Sequence, residues 1–157
     1  MPNKRKEFFS QERADSLWRF ATSILGDEES AKDIVQDVFE KVWTRTLPIL
    51  NLEAYVTRAV RNACIDLLRS RKDVTDEFPE EVADSVECWD DRELVKMAMA
   101  QLPERQRSVV HLKDIEGYSY EEISKVVGVP ENQVRTILSR ARKSMRNYIE
   151  NEMNHGK

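Results

Sequence analysis

Ser119-Tyr120-Glu121-Glu122-Ile123-Ser124-Lys125-Val126-Val127-Gly128-Val129-Pro130-Glu131 is the most informative stretch of this chain. Its first four residues form a capping box. The Ser119 hydroxyl can accept from the amide of Glu122 while the Glu122 carboxylate reaches back to the Ser119 amide, so a helix starts sharply at Tyr120. Gly128 supplies the positive φ that ends this helix near Val127, and Pro130 fixes φ for entry into the next. Helices joined by so short a turn cross steeply. Ile123, Val127, Val129, Val134, Leu138 and Ala141 are spaced to close a small core between them. That leaves Asn132, Gln133, Arg135, Thr136, Ser139, Arg140, Arg142 and Lys143 outside. Amide and guanidinium groups near a helix start can hydrogen-bond base edges in the major groove, and later cations can hold phosphates. The pattern predicts a helix-turn-helix on duplex DNA. The plainer alternative is an antiparallel helix pair with a solvated basic face, and the joint spacing of cap, glycine and charge favours the first reading.

Upstream of this motif the same periodicity predicts further helices. Leu17, Phe20, Ala21 and Ile24 mark one from about Gln11 to Leu25, which Gly26-Asp27 ends while capping the next. Ile34, Val35, Val38, Phe39, Val42 and Trp43 form the apolar stripe of a second, from about Glu28 to Thr44, and Pro48 breaks the chain after it. A third, from about Leu52 to Arg71, buries Tyr55, Val56, Ala59, Val60, Ala63, Leu67 and Leu68 in some combination. Glu93 to Gln101 and Glu104 to Ile115 read as two more, with Pro103 suited to a first helical position.

The formal net charge of -4 argues against a nucleic-acid binder until its distribution is considered. Thr57 to Lys72 carries Arg58, Arg61, Arg69, Arg71 and Lys72 against Asp66 alone, and Asn132 to Ile149 has no acid at all. The acids gather instead between Asp73 and Glu93, where Arg92 is the only base and Pro79 interrupts any helical period. This is the pattern of a solvated linker between two helical domains. The chain thus divides into an N-terminal tail (1-9), a first domain (10-72), the linker (73-92), a second domain (93-150) and a C-terminal tail (151-157). The expected fold is all-α, two small helical domains joined by an acidic flexible linker.

Other functions are weakly supported. Cys64, Cys88, His111 and His155 stand singly, without the paired spacing of a zinc site, and Cys64 falls on the apolar side of its helix as a small hydrophobe. No nucleophile-base arrangement or phosphate-binding glycine loop suggests an enzyme, and no cofactor is expected. No run reaches the length of a membrane span and no signal-peptide core follows the basic start, so a cytoplasmic location is expected. On the second helix Asp33, Gln36, Asp37 and Glu40 share one stripe opposite the apolar one. Taken alone, that stripe fits a simply solvated face better than one for a basic partner.

Several separated segments resemble the extracytoplasmic-function sigma factors. Leu17-Trp18-Arg19-Phe20-Ala21, Leu25-Gly26-Asp27, Ala31 to Phe39 with Trp43, and Arg61 to Arg69 resemble the family's second conserved region. Leu102 to Arg107, Glu116 to Ile123 and Leu138 to Arg142 resemble the fourth. The resemblance implies that Asp33, Gln36 and Asp37 dock on core RNA polymerase. It also implies that the loop from Thr46 to Glu53 and the helix carrying Arg58, Arg61, Asn62 and Arg69 engage the minus-ten element. The helix from Glu131 would then read the minus-thirty-five element of promoter DNA, and the acidic linker would thread toward the RNA-exit path. An anti-sigma factor is an expected further partner. Asn132-Gln133-Val134-Arg135-Thr136-Ile137 departs from the family's common recognition-helix pattern, so no promoter sequence carries over. A regulator that binds duplex DNA without polymerase is the competing reading, and the basic third helix favours the first.

Overall fold

A computed structural model describes residues 10–44, 51–74 and 91–155, and among these residues the chain is helical with no strand. Three helices form the first domain. Helix α1 (Gln11–Leu25) starts where the Ser10 hydroxyl accepts the Arg13 amide, and it stops at Gly26, whose φ of 73° allows its N–H to bond back to Thr22. It buries Leu17, Phe20, Ala21 and Ile24, the predicted stripe. Asp27 then opens α2 (Glu28–Thr44) by accepting from the Glu29 amide and the Ser30 hydroxyl. Helix α2 buries Ala31, Val35, Val38 and Val42. Trp43 departs from the expected core stripe, because it lies at the end of that helix with half of its surface exposed. Asn51 caps α3 (Leu52–Val74), which turns Val56, Val60 and Cys64 inward against α1 and α2.

The second domain comprises α4 (Asp91–Ala100), α5 (Glu104–Val110), α6 (Tyr120–Val127) and α7 (Glu131–His155). Pro103 stands at the N-cap of α5, one residue before the position expected for it. The predicted helix through Ile115 exists, but its last part, His111–Ile115, widens into a π-helical segment. The Glu116 amide closes this segment on the His111 carbonyl at 3.0 Å. The capping box forms as read, with Ser119 Oγ taking the Glu122 amide and Glu122 returning to the Ser119 amide, both at 3.1 Å. Gly128 takes a φ of 74° and ends α6. Ile123, Val127, Val134, Leu138 and Ala141 close the expected core, joined by Val126, Val109 and Leu112, while Val129 packs half-buried at its edge.

The two domains also pack on each other. Helix α1 lies against α5 and the π-helical segment, and α3 lies against α6. The expected linker (73–92) lies outside the described residues over 75–90, as do the N-terminal tail and residues 45–50 of the expected minus-ten loop. No described helix is long and apolar enough to cross a membrane.

Candidate nucleic-acid interface

Helix α7 is held by burial of one face, so its opposite face is presented in fixed order. Val134, Leu138 and Ala141 are buried, and all the polar candidates outside them are exposed. Helical spacing sorts those candidates further. Asn132, Thr136, Ser139 and Lys143 follow one another down the centre of the outward face, with Gln133 and Arg140 along one edge. Arg135 and Arg142, two turns apart, line the other edge. The Thr136 hydroxyl donates back to the Asn132 carbonyl at 3.1 Å, and the Asn132 side chain accepts the Gln133 amide at 3.0 Å.

The edge carrying Arg135 and Arg142 is braced by residues the sequence reading passed over. Asp114 takes two hydrogen bonds from Arg142, through Nε at 3.2 Å and Nη2 at 2.5 Å, and this pairing holds the guanidinium pKa above its ordinary value against partial desolvation. The Tyr120 ring contacts two cations, with Arg135 Cζ at 4.1 Å and Lys113 Nζ at 4.4 Å from its centroid. Capping position alone marked Tyr120 in the sequence, and nothing in its spacing announced this contact.

Helix α3 splits its candidates. Arg58, Asn62 and Arg69 are exposed. Arg61 is not on the surface: its guanidinium, 9% exposed, pairs with Glu104 at 2.9 Å across the seam. Arg58 also faces the second domain, its guanidinium lying 3.8 Å from the point where a Cβ on Gly128 would stand. Beside them the buried Thr57 hydroxyl meets the Tyr118 hydroxyl at 2.9 Å, and burial pushes the tyrosine pKa up to about 12.

Two further polar clusters fasten α1 to the second domain. The Glu116 carboxylate, 6% exposed, accepts from Ser16 at 2.8 Å, from Arg19 at 3.0 and 3.2 Å, and lies 2.9 Å from His111 Nε2. Burial alone would raise its pKa, but these hydrogen bonds outweigh that and hold it at about 2. Arg107 donates to the Ser23 and Ile24 carbonyls at the end of α1, and to Met99, Ala100 and Leu102 at the end of α4. These are contacts between residues as far as 100 apart, for which local periodicity carries no signal.

On α2, Asp33, Gln36, Asp37 and Glu40 are all exposed, and Asp37 pairs with Lys41 at 3.0 Å. Cys64 is fully buried, with its pKa pushed up to about 12 mainly by burial. Among the described residues no cluster of His, Cys, Asp and Glu could hold a metal ion.

The family model for Sigma-70 region 2 matches residues 10–74, and that for Sigma-70, region 4 matches residues 92–145. The chain is 31% identical over 147 residues to the ECF RNA polymerase sigma factor SigL of Mycobacterium tuberculosis, covering 86% of this chain and 83% of that one. This chain belongs to the extracytoplasmic-function sigma factors. The sigma factor is also 32% identical to the RNA polymerase sigma-E factor of Streptomyces antibioticus, over 88% of its own length and 81% of the relative's. Against the ECF sigma factor SigE of Mycolicibacterium smegmatis the identity is 29%, and the chain spans 59% of that protein's length. Among solved structures, the sigma factor RpoE of Bartonella quintana, in complex with the anti-sigma factor NepR, superposes with a TM-score of 0.77 at 25% identity. That match covers 96% of this chain and 98% of the other, so it spans both domains. As a member of this family the chain acts in transcription initiation and is a regulatory protein.

Proposed function

We propose that this sigma factor binds core RNA polymerase through Asp33, Gln36 and Asp37 and directs promoter-specific initiation. Helix α7 reads the minus-thirty-five element in the major groove, and Arg58, Arg61, Asn62 and Arg69 on α3 engage the minus-ten element. The observation that carries this reading is the outward face of α7. It is fully exposed, free of acids from Asn132 to Ile149, and ordered as a polar centre between two edges that each hold an arginine. The acidic stripe on α2 is exposed, which leaves it available to a basic partner.

Arg61 cannot meet DNA while its buried guanidinium is paired with Glu104, so its engagement with the minus-ten element requires α3 to part from the start of α5. An arrangement similar to that of an anti-sigma-bound relative supports an anti-sigma partner for this chain too. Reconstitution with core polymerase on a library of candidate promoters tests the whole reading. Specific initiation that is lost with Asp33→Lys and Asp37→Lys together is the expected result. Absence of both core binding and specific initiation by the unmodified chain would refute it.

A further inference from the structure

We infer that Tyr120 is a positioning residue for base readout: it holds Arg135 by its ring and leaves the guanidinium donors free for a base edge. The inference rests on the reading of α7 as the minus-thirty-five helix.

The two arginines on the braced edge of α7 are held in chemically different ways. Arg142 spends its Nε–H and one Nη2–H on Asp114. A bidentate carboxylate of this kind neutralises the cation and uses the edge of the guanidinium that would otherwise address a nucleobase. Arg135 has no carboxylate partner among the described residues, and its guanidinium carbon lies 4.1 Å from the centroid of the Tyr120 ring. An aromatic face attracts the cation through its quadrupole and consumes none of its N–H groups. The side chain therefore loses much of its rotamer freedom before DNA arrives while keeping its fork of donors, which is the state a bidentate contact to guanine O6 and N7 requires.

The ring can serve as a platform because it is itself fixed. Tyr120 is the first residue of α6, so the Ser119–Glu122 capping box sets its backbone, and its side chain packs half-buried on the domain core. Lys113 at 4.4 Å is the ring's second cationic partner. Lys113 and Asp114 are neighbours in the π-helical segment, so that one widened turn contacts both the Tyr120 ring and Arg142. Ordering a long side chain at an interface costs conformational entropy, and an exposed cation–π contact recovers a comparable amount in advance. The expected effect on readout is therefore about two- to fivefold.

The test is in vitro selection of minus-thirty-five duplexes from a randomised library by polymerase holoenzyme carrying the unmodified chain, Tyr120→Phe, Tyr120→Leu, Arg135→Ala, or Tyr120→Leu with Arg135→Ala. Arg135→Ala is expected to erase preference at one or two base pairs. Tyr120→Leu should weaken preference at those same pairs by about two- to fivefold, Tyr120→Phe should retain it, and the double variant should match Arg135→Ala. Phenylalanine keeps the ring and the core contact, so its behaviour separates positioning from folding. Full preference in Tyr120→Leu, an even loss over every base pair, or equal loss in Tyr120→Phe would each overturn the inference. If Arg135→Ala leaves every preference unchanged, the underlying reading of α7 fails and the inference falls with it.

Discussion

Replacing Glu116 by glutamine removes one buried charge from the junction of α1 with the π-helical segment while keeping the side chain's size. In the native chain that carboxylate faces donors from Ser16 and Arg19, and His111 beside them, and is 6% exposed. Its pKa of about 2 lies below the roughly 4.3 of an unperturbed glutamate, a difference worth about 3 kcal/mol in favour of the charged, folded form. The folded-state value is the depressed one. The stabilisation is therefore complete above about pH 4.3 and disappears as pH falls toward 2. Thermal unfolding followed by circular dichroism at pH 7.5 should show Glu116→Gln melting roughly 6–12 °C lower than the unmodified chain, at about 2–4 °C per kcal/mol for a protein of this size. The gap should hold to about pH 5 and narrow below pH 4. A variant that melts within 2 °C of the parent at pH 7.5, or a gap undiminished near pH 3, would show that the charge does not fasten the seam.

Two other outcomes follow from local geometry. Gly128→Ala places a Cβ in ordinary contact range of the Arg58 guanidinium but on a backbone at φ 74°, so left-handed strain alone should destabilise the chain by about 1–2 kcal/mol, read from urea unfolding. In a Cys88→Ser chain, Cys64 should resist an aromatic disulfide reagent at pH 8 and react only as fast as the protein opens, because it is fully buried with a pKa of about 12. Rapid stoichiometric labelling of the folded chain would contradict that burial.

Local order was legible because it is written in neighbours. The Ser119–Glu122 box, the glycines at 26 and 128, and the stripe from Leu17 to Ile24 are each complete within a few residues, and each stands where its spacing put it. Trp43 was misplaced because its position on the α2 stripe extends past the point where α1 and α3 cover it. The resemblance assigns Arg61 to the minus-ten element, and its burial against Glu104 is not legible in the sequence, because that partner lies 43 residues away and leaves no trace in the pattern around it. The polar face of α7 followed from the sequence; its braces did not. Asp114 meets Arg142 of α7 and Lys113 meets the Tyr120 ring from a π-helical turn, and Tyr120 meets Arg135 only through the crossing of α6 and α7. The packing of the first domain on the second was equally invisible, being made by side chains that differ from solvated ones only in what lies opposite.

Arg107 gives the seam a property that its ion pairs lack. One guanidinium caps the carbonyl ends of two helices, α4 in its own domain and α1 in the other. When the domains part, its bonds to Met99, Ala100 and Leu102 can persist while water takes over the Ser23 and Ile24 carbonyls, so at this point of the seam separation leaves only groups that solvent can satisfy. Added salt screens the partly exposed Arg19–Glu116 pair, but it acts less on a half-buried cation bonded to neutral carbonyls. The junction therefore combines one fastening that responds strongly to ionic strength with another that responds weakly, so that added salt loosens the first before the second.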